Sequence, residues 1–258
     1  MSEVIFIKSD AEIDAMRAAG RITAGARSIA RQAIRDGIST KEIDREVRAY
    51  ILKNGATPTF YHYGGFPGNL CVSVNEEVIH GIPGARRIHT GDIVSVDVGA
   101  FFGGFTGDCA GTYPVGEVSE EAARLMEVTR QSFFEALKVV KEGNRISDIG
   151  AAVQDYCESR GFGVVRDYVG HGVGRHLHEA PEIPNYVPDR RERRPNPRLK
   201  KGMCLAIEPM ITAGDWHIRV LDNDWTVVTV DGSLAAHYEN TVCVTDGEPE
   251  ILTMADDI

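Results

Sequence analysis

The sequence predicts an α+β fold of one domain spanning 1–258, in which a helix pair and part of a curved sheet occur twice about a pseudo-twofold axis. Two correspondences point to it. Gly37, Ile43, Tyr50 and Gly55 recur as Gly143, Ile149, Tyr156 and Gly161, each displaced by 106 positions. Gly91 with Asp97 recurs as Gly202 with Glu208, displaced by 111 positions. The first set reads as helix, glycine-containing turn and second helix; the second reads as a strand carrying a carboxylate. Blocks of this kind, approximately 11–116 and 119–247, pack on a mixed, largely antiparallel sheet. A third observation sets the chemistry: Asp97, Asp108, His171, Glu208 and Glu239 stand in order as potential metal ligands.

The elements follow in chain order. Residues 22–34 and 122–140 place apolar side chains on one helical face, and Ser39 and Ser147 stand as N-caps of the helices that come next. From Ile93 to Val98 apolar and polar residues alternate, with Val94, Val96 and Val98 on one face and Ser95 and Asp97 on the other. Glycines at 99, 103, 104 and 107 break that run. A turn near 102–104 folds the chain back, so that Asp108 lies opposite Asp97 or one diagonal step away. Two carboxylates this close repel unless a cation lies between them.

His171 and His178 belong to a glycine-rich segment, Tyr168 to Pro181, which is not a His-Glu-x-x-His helix. Glu208 stands inside the apolar strand Cys204 to Met210, where an unpaired charge costs several kcal/mol, so a cation must meet it. Glu239 repeats that situation before the strand-like run ending at Val244. Four carboxylates and one imidazole form a donor set that holds two cations side by side. It suits Mn, Fe or Co better than a thiolate-rich zinc site does. The residues point to metal-assisted hydrolysis.

Composition bounds the setting. With 258 residues, 43% hydrophobic and 26% charged, the chain can bury a real core. Cys71, Cys109, Cys157, Cys204 and Cys243 are odd in number and scattered, and read as reduced thiols. The apolar run before Lys8 is far too short for a signal-peptide core, and no stretch reaches membrane-span length, so a cytoplasmic protein is expected. A net charge of −10 argues against DNA or general nucleic-acid binding. The exception is a basic surface loop at 190–201, with Arg190, Arg191, Arg193, Arg194, Arg198, Lys200 and Lys201 around Pro195 and Pro197.

Together the run Asn75 to Pro83, the Asp97 and Asp108 hairpin, Gly170-His-Gly, Ile207 to Met210 and Tyr238 to Thr241 resemble the type I methionine aminopeptidases, from about Ile7 to Leu252. The type II class carries a long insertion between its last two carboxylate ligands, whereas Glu208 and Glu239 are 31 positions apart. The resemblance implies the pita-bread, or creatinase-like, fold. It implies two divalent metal ions (Co, Mn, Fe or Zn), with Asp108 and Glu239 bridging, Asp97 on one metal and His171 and Glu208 on the other. It casts Glu208 as general base, and His80 and His178 as partners of the substrate amide and oxyanion. Tyr63, Phe66, Cys71, Leu177 and Trp225 match the pocket for an unbranched thioether side chain. Leu177 replaces an expected aromatic, and His237 an expected amide.

The implied substrate is the initiator methionine of nascent chains with a small second residue, removed by a monomeric enzyme whose basic loop 190–201 meets ribosomal RNA. Two alternatives are an Xaa-Pro aminopeptidase or prolidase of the same fold and a non-catalytic binding protein. The first carries an extra domain ahead of the catalytic one, and fewer than a hundred residues precede Asp97 here. The second lacks ligands, and all five are present.

Overall fold

A computed structural model describes residues 4–189, 192 and 194–254. Four helices, α1 (Asp10–Ala33), α2 (Thr40–Lys53), α3 (Glu120–Leu137) and α4 (Ile146–Glu158), form two pairs, α1 with α2 and α3 with α4. Ser9 and Ser39 each start a helix with a capping box. Glu12 accepts from the Ser9 N–H at 2.9 Å, and Glu42 from the Ser39 N–H at 2.9 Å. Ser119 caps α3 by accepting from the Ala122 N–H at 3.1 Å.

Ser147 does not cap α4. The cap is Arg145, whose N–H donates to Asp148 at 2.8 Å, while Ser147 sits in the first turn. The Ser147 N–H donates instead to the Asn196 side-chain oxygen at 3.0 Å, so a residue 49 positions away satisfies the helix end.

The larger sheet runs in the order Thr57–Pro58, Ile93–Phe102, Phe105–Pro114, Glu239–Cys243, Cys204–Ile207, Gly170–Gly172, Glu179–Ile183, each neighbour antiparallel. Among the described residues the parallel component of the expected mixed sheet is one isolated bridge, Ile5 with Ala180. Residues 102 to 105 make a two-residue hairpin turn. Gly103 and Gly104, at φ 60° and 87°, supply the left-handed backbone that such a turn needs.

The duplication is written in main-chain bonds. Bridges join Ser39 to Arg87 and Arg145 to Arg198, the same positions of the two halves. Gly37 N–H donates to the Ile88 carbonyl at 2.8 Å, and Gly143 N–H to the Leu199 carbonyl at 2.9 Å.

Each half has its own core. Val94, Val96, Val98 and Ala100 pack with Ala26, Ala30, Ile43, Val47 and Ile51 of α1 and α2. Leu205, Ile207 and Val242 pack with Leu125, Phe133, Ile149 and Val153 of α3 and α4. Because strand side chains alternate, burying the valines under the helices turns Asp97 to the opposite face. Helix α1 lies close on the hairpin: a Cβ at Gly107 would come within 2.9 Å of the Gly20 Cα.

Of the basic loop, Arg190, Arg191 and Arg193 lie outside the described residues. Arg194 pairs with Glu182 at 2.8 Å and Glu192 at 3.1 Å, and Lys201 with Asp246 at 2.8 Å. Among the described residues no helix is long and apolar enough to cross a membrane.

Candidate metal centre

Three adjacent strands set the carboxylates in a row. Asp97 pairs with Ala110, and Ala110 pairs on its other side with Glu239. Ala110, fully buried, is a methyl between two carboxylates, which leaves room above the sheet. Asp108 is two residues back on the middle strand, paired with Gly99, and so lies one diagonal step from Asp97 on the same face, as expected. Glu208 directly follows the strand Cys204–Ile207, whose Ala206 pairs with both Thr241 and His171. The first half thus delivers Asp97 and Asp108, and the second delivers His171, Glu208 and Glu239.

His171 Nε2 lies 3.5 Å from Glu208 Oε1 and 3.7 Å from Asp108 Oδ2. Its Nδ1 lies 2.9 Å from the Gly172 carbonyl oxygen, which can only accept. The proton therefore sits on Nδ1, and Nε2 turns a lone pair toward the carboxylates, the arrangement a metal-ligating imidazole needs. Burial, with His178 close by, holds its pKa down to about 3, so the ring is neutral.

The carboxylates are short of partners. Asp97 Oδ1, Asp108 Oδ1 and Glu239 Oε1 are buried with no hydrogen bond among the described residues. Burial pushes Asp97 up to about 7. Burial and then Asp97 push Asp108 and Glu208 well above the usual carboxylate range. Glu239 rises likewise, from burial and then Asp108. Four such groups stay ionised together only around positive charge.

Ligand atoms of Asp108, His171 and Glu239 fall within 4.8 Å of one another, and so do those of Asp97, His237 and Glu239. These two groups share Glu239, the pattern of a bridged pair of cations. Hard oxygen donors with one or two imidazoles fit divalent Mn, Fe, Co or Zn.

A cavity of about 240 Å³ opens onto these groups. All five side chains expected to form the pocket line it: Tyr63, Phe66, Cys71, Leu177 and Trp225. Phe66 meets Trp225 edge to face at 5.1 Å. Burial, then the neighbouring Asp97, Asp108 and Glu239, pushes the Cys71 thiol up, so it lines the wall as a soft neutral group. Phe60, Ile79, Tyr168 and Val169 complete the lining. They were not foreseen. The only signals for them were the aromatic run from Phe60 to Tyr63 and the place of Tyr168 at the start of the glycine-rich segment.

His80 and His178 both face the cavity. His80 adopts φ 58°, unusual for a residue with a Cβ, and contacts Tyr168 edge to face at 5.4 Å. Burial, then His178, lowers its pKa to about 4. Burial also lowers His178, whose Nδ1 lies 2.7 Å from the Tyr63 hydroxyl.

The model of metallopeptidase family M24 matches residues 14–246. A methionine aminopeptidase of Clostridium acetobutylicum is 51% identical over 254 residues, covering 98% of this chain and all of that protein. Methionine aminopeptidase 1 of Bacillus subtilis is 49% identical, over 97% of this chain and 99% of its own. The crystal structure of a methionine aminopeptidase from Thermotoga maritima superposes with a TM-score of 0.94 at 46% identity, covering 98% of this chain and 100% of its own. Prolidase from Pyrococcus furiosus, at 23% identity and TM-score 0.74, shares the fold over 97% of this chain and 66% of its own.

Proposed function

The chain belongs to metallopeptidase family M24, and we propose that it acts as a type I methionine aminopeptidase with the pita-bread fold, removing the initiator methionine from chains with a small second residue. The observation that carries this reading is that Asp97, Asp108, His171, Glu208 and Glu239 converge, with ligand atoms of Asp108, His171 and Glu239 within 4.8 Å of one another, on an apolar cavity large enough for one unbranched side chain.

In this reading Asp97, Asp108, His171, Glu208 and Glu239 would hold two divalent ions. Bound there, such ions supply Lewis acidity, polarising the scissile carbonyl and lowering the pKa of the attacking water. Glu208 takes the water's proton and returns it to the leaving amine. Asp97 accepts a hydrogen bond from the substrate's free α-amine, which restricts cleavage to the first peptide bond.

His178 Nδ1 lies 2.7 Å from the Tyr63 hydroxyl, and in the tautomer that accepts from Tyr63 the imidazole proton is on Nε2, where it would meet the developing oxyanion. His80 binds the amide. The methionine side chain enters between Phe66, Trp225, Leu177 and Cys71, where the sulfur meets polarizable walls.

The single domain acts as a monomer in the cytoplasm, with the basic loop 190–201 against ribosomal RNA. Charge reversal at Arg190, Arg191, Arg193 and Arg194 then weakens ribosome cosedimentation and leaves tripeptide turnover intact; unchanged cosedimentation removes that contact.

The main test is turnover by stripped protein titrated with each metal. Methionine is released from Met-Ala-Ser only when metal is present, and nothing is released from Ala-Pro-Ala. Cleavage of Ala-Pro-Ala in place of Met-Ala-Ser makes the chain a proline-specific peptidase, and metal-independent cleavage defeats the mechanism.

A further inference from the structure

One buried ion pair lies directly behind the turn that carries two of the site residues. The turn runs from Gly174 to Glu179 and includes Leu177 and His178. His178 Nδ1 lies 2.7 Å from the Tyr63 hydroxyl, and its ring centroid lies 4.3 Å from that of His171. Glu179 comes next and opens the strand Glu179–Ile183, in which neighbouring side chains leave on opposite sides. Its carboxylate meets Lys8 of the N-terminal segment.

That segment is anchored on both flanks. The Lys8 N–H donates to the Gly202 carbonyl at 2.8 Å, and Ile5 forms a parallel bridge with Ala180. From this anchorage Lys8 Nζ reaches Glu179 Oε2 at 2.7 Å, with the two side chains 5% and 3% exposed. The other oxygen of the carboxylate, Oε1, accepts from the His176 N–H at 3.1 Å, within the turn. Gly174 donates to the His176 carbonyl at 3.1 Å, and its own carbonyl accepts from the Thr106 N–H at 2.8 Å. The fit is close: a Cβ on Gly174 would lie 2.6 Å from Lys8 Cε and 2.7 Å from Glu179 Oε1.

Two charges held out of water gain little net stability over apolar residues of the same size, because desolvation offsets their attraction. Separating them is costly, so the pair stays closed and its geometry is sharply defined. What it supplies to the turn is therefore orientation. The mechanism above gives neither residue a part.

We propose that Lys8 and Glu179 are positioning residues: their ion pair locks the turn 174–179 from behind and so holds the His178 imidazole where the oxyanion develops. The proposal rests on reading His178 as the partner of that oxyanion. Neither residue touches substrate or the reacting atoms, and their effect passes through the backbone on either side of His178.

The test is the double variant Lys8→Met/Glu179→Gln, which removes both charges, leaves none buried alone and keeps an acceptor for the His176 N–H. It is made in the wild-type and His178→Ala backgrounds. In the wild-type background kcat for Met-Ala-Ser falls about 10- to 100-fold, as a small misplacement of a catalytic group does. Calorimetric Mn(II) affinity stays within about threefold, because His171 is held by its own strand. Trypsin cleavage after the exposed Arg175, read from fragment masses, speeds up at least about tenfold as the turn opens. In the His178→Ala background the same change lowers kcat by less than about twofold more, since the two effects run through one group.

A wild-type kcat in the double variant overturns the proposal. So do equal losses in the two backgrounds, the mark of a merely structural role, and so does an unchanged rate of cleavage after Arg175. If the double variant does not fold, Glu179→Gln alone takes its place, with Lys8 free to shed its proton. The same dependence on His178 then supports the proposal, and its absence overturns it. If the wild-type protein releases no methionine, the peptidase reading fails by itself; faster cleavage after Arg175 in the variant still upholds the lock, and unchanged cleavage refutes it.

Discussion

Removing the metal from this protein is expected to make its stability fall as pH rises from about 6.5 to 8, and the buried carboxylates set the size of the fall. Asp97 is pushed up to about 7, and Asp108, Glu208 and Glu239 well above the ordinary range. An acid whose folded pKa is raised binds more protons in the native state than in the unfolded chain, so stability drops as pH climbs above about 4. His80, His171 and His237 oppose this at low pH. They are held at about 4, 3 and 3, whereas unfolded histidines are charged below about 6.5. There the unfolded chain binds the extra protons, and stability rises with pH. Between about 6.5 and 7.5 the unfolded histidines lose their remaining charge and offset part of the fall; above about 7.5 they are neutral in both states and the carboxylates act alone.

Each carboxyl that keeps its proton then removes about 1.4 kcal/mol per pH unit. An unfolding entropy of about 2.1 cal/mol/K per residue gives about 0.5 kcal/mol/K for this chain. One retained proton therefore lowers Tm by about 4 °C between pH 6.5 and 8. Above pH 8 the buried thiols, with Cys109 and Cys157 held at about 12, add a term of the same sign. Calorimetric scans at half-unit steps, with chelator and with excess Mn(II), make the comparison. The stripped curve should fall while the loaded curve stays level. A stripped Tm that is flat or rising over that window would refute the account of why these carboxylates are buried together.

Three substitutions probe single links. Glu208→Gln should lower kcat for Met-Ala-Ser by about 100-fold or more, with Tm changed by only a few degrees; a rate within tenfold of wild type argues against its role as base. Leu177→Ala opens the wall shared by Phe60, Phe66 and Cys71, and should raise the Leu-Ala-Ser to Met-Ala-Ser rate ratio by about 10-fold. An unchanged ratio removes Leu177 from the specificity wall. Gly81→Ala places a Cβ within 2.2 Å of the Val72 carbonyl oxygen, beside His80 in its left-handed conformation. It should lower kcat and destabilise the fold by about 1–3 kcal/mol in urea unfolding, and wild-type behaviour in both would show that the strand can yield.

What could be read in advance, and what could not, divides by range. The diagonal placement of Asp97 and Asp108 was legible because strand alternation has a period of two and the glycines at 103 and 104 mark the turn between them. The matching of Asp97 with Glu208 was legible because the duplication preserved spacing. Ser147 misled because propensity sees a serine near a helix start, but not Asn196, which reaches it from a distant loop. Phe60 and Ile79 escaped because pocket walls come from segments, here a bend after Thr57–Pro58 and the strand Glu77–Ile79, that meet only in the folded chain. His237 stood out as an unexpected residue type. Only the register with Met210 makes it the counterpart of Asp108, which pairs with Gly99.

The same correspondence locates the one carboxylate position at which the halves differ most. Asp97 has Glu208 as counterpart and Asp108 has His237, while Glu239 answers to Ala110. A methyl group therefore stands where symmetry would put another ligand. Asp97, Ala110 and Glu239 lie side by side across three strands, where neighbouring Cβ atoms are about 5 Å apart. A larger side chain in the middle would occupy the space above the sheet into which both carboxylates must turn to reach a shared ion.

Ala110→Val tests this, because valine keeps strand propensity and adds volume at a fully buried point between them. Overpacking of about 1–3 kcal/mol corresponds to a Tm loss of roughly 2–6 °C, which the fold should survive. Mn(II) affinity, in contrast, should fall more than tenfold, since Asp97 and Glu239 can no longer converge. A folded Ala110→Val protein that binds Mn(II) as tightly as wild type would show that the small residue is a packing accident and that Asp97 and Glu239 do not share an ion.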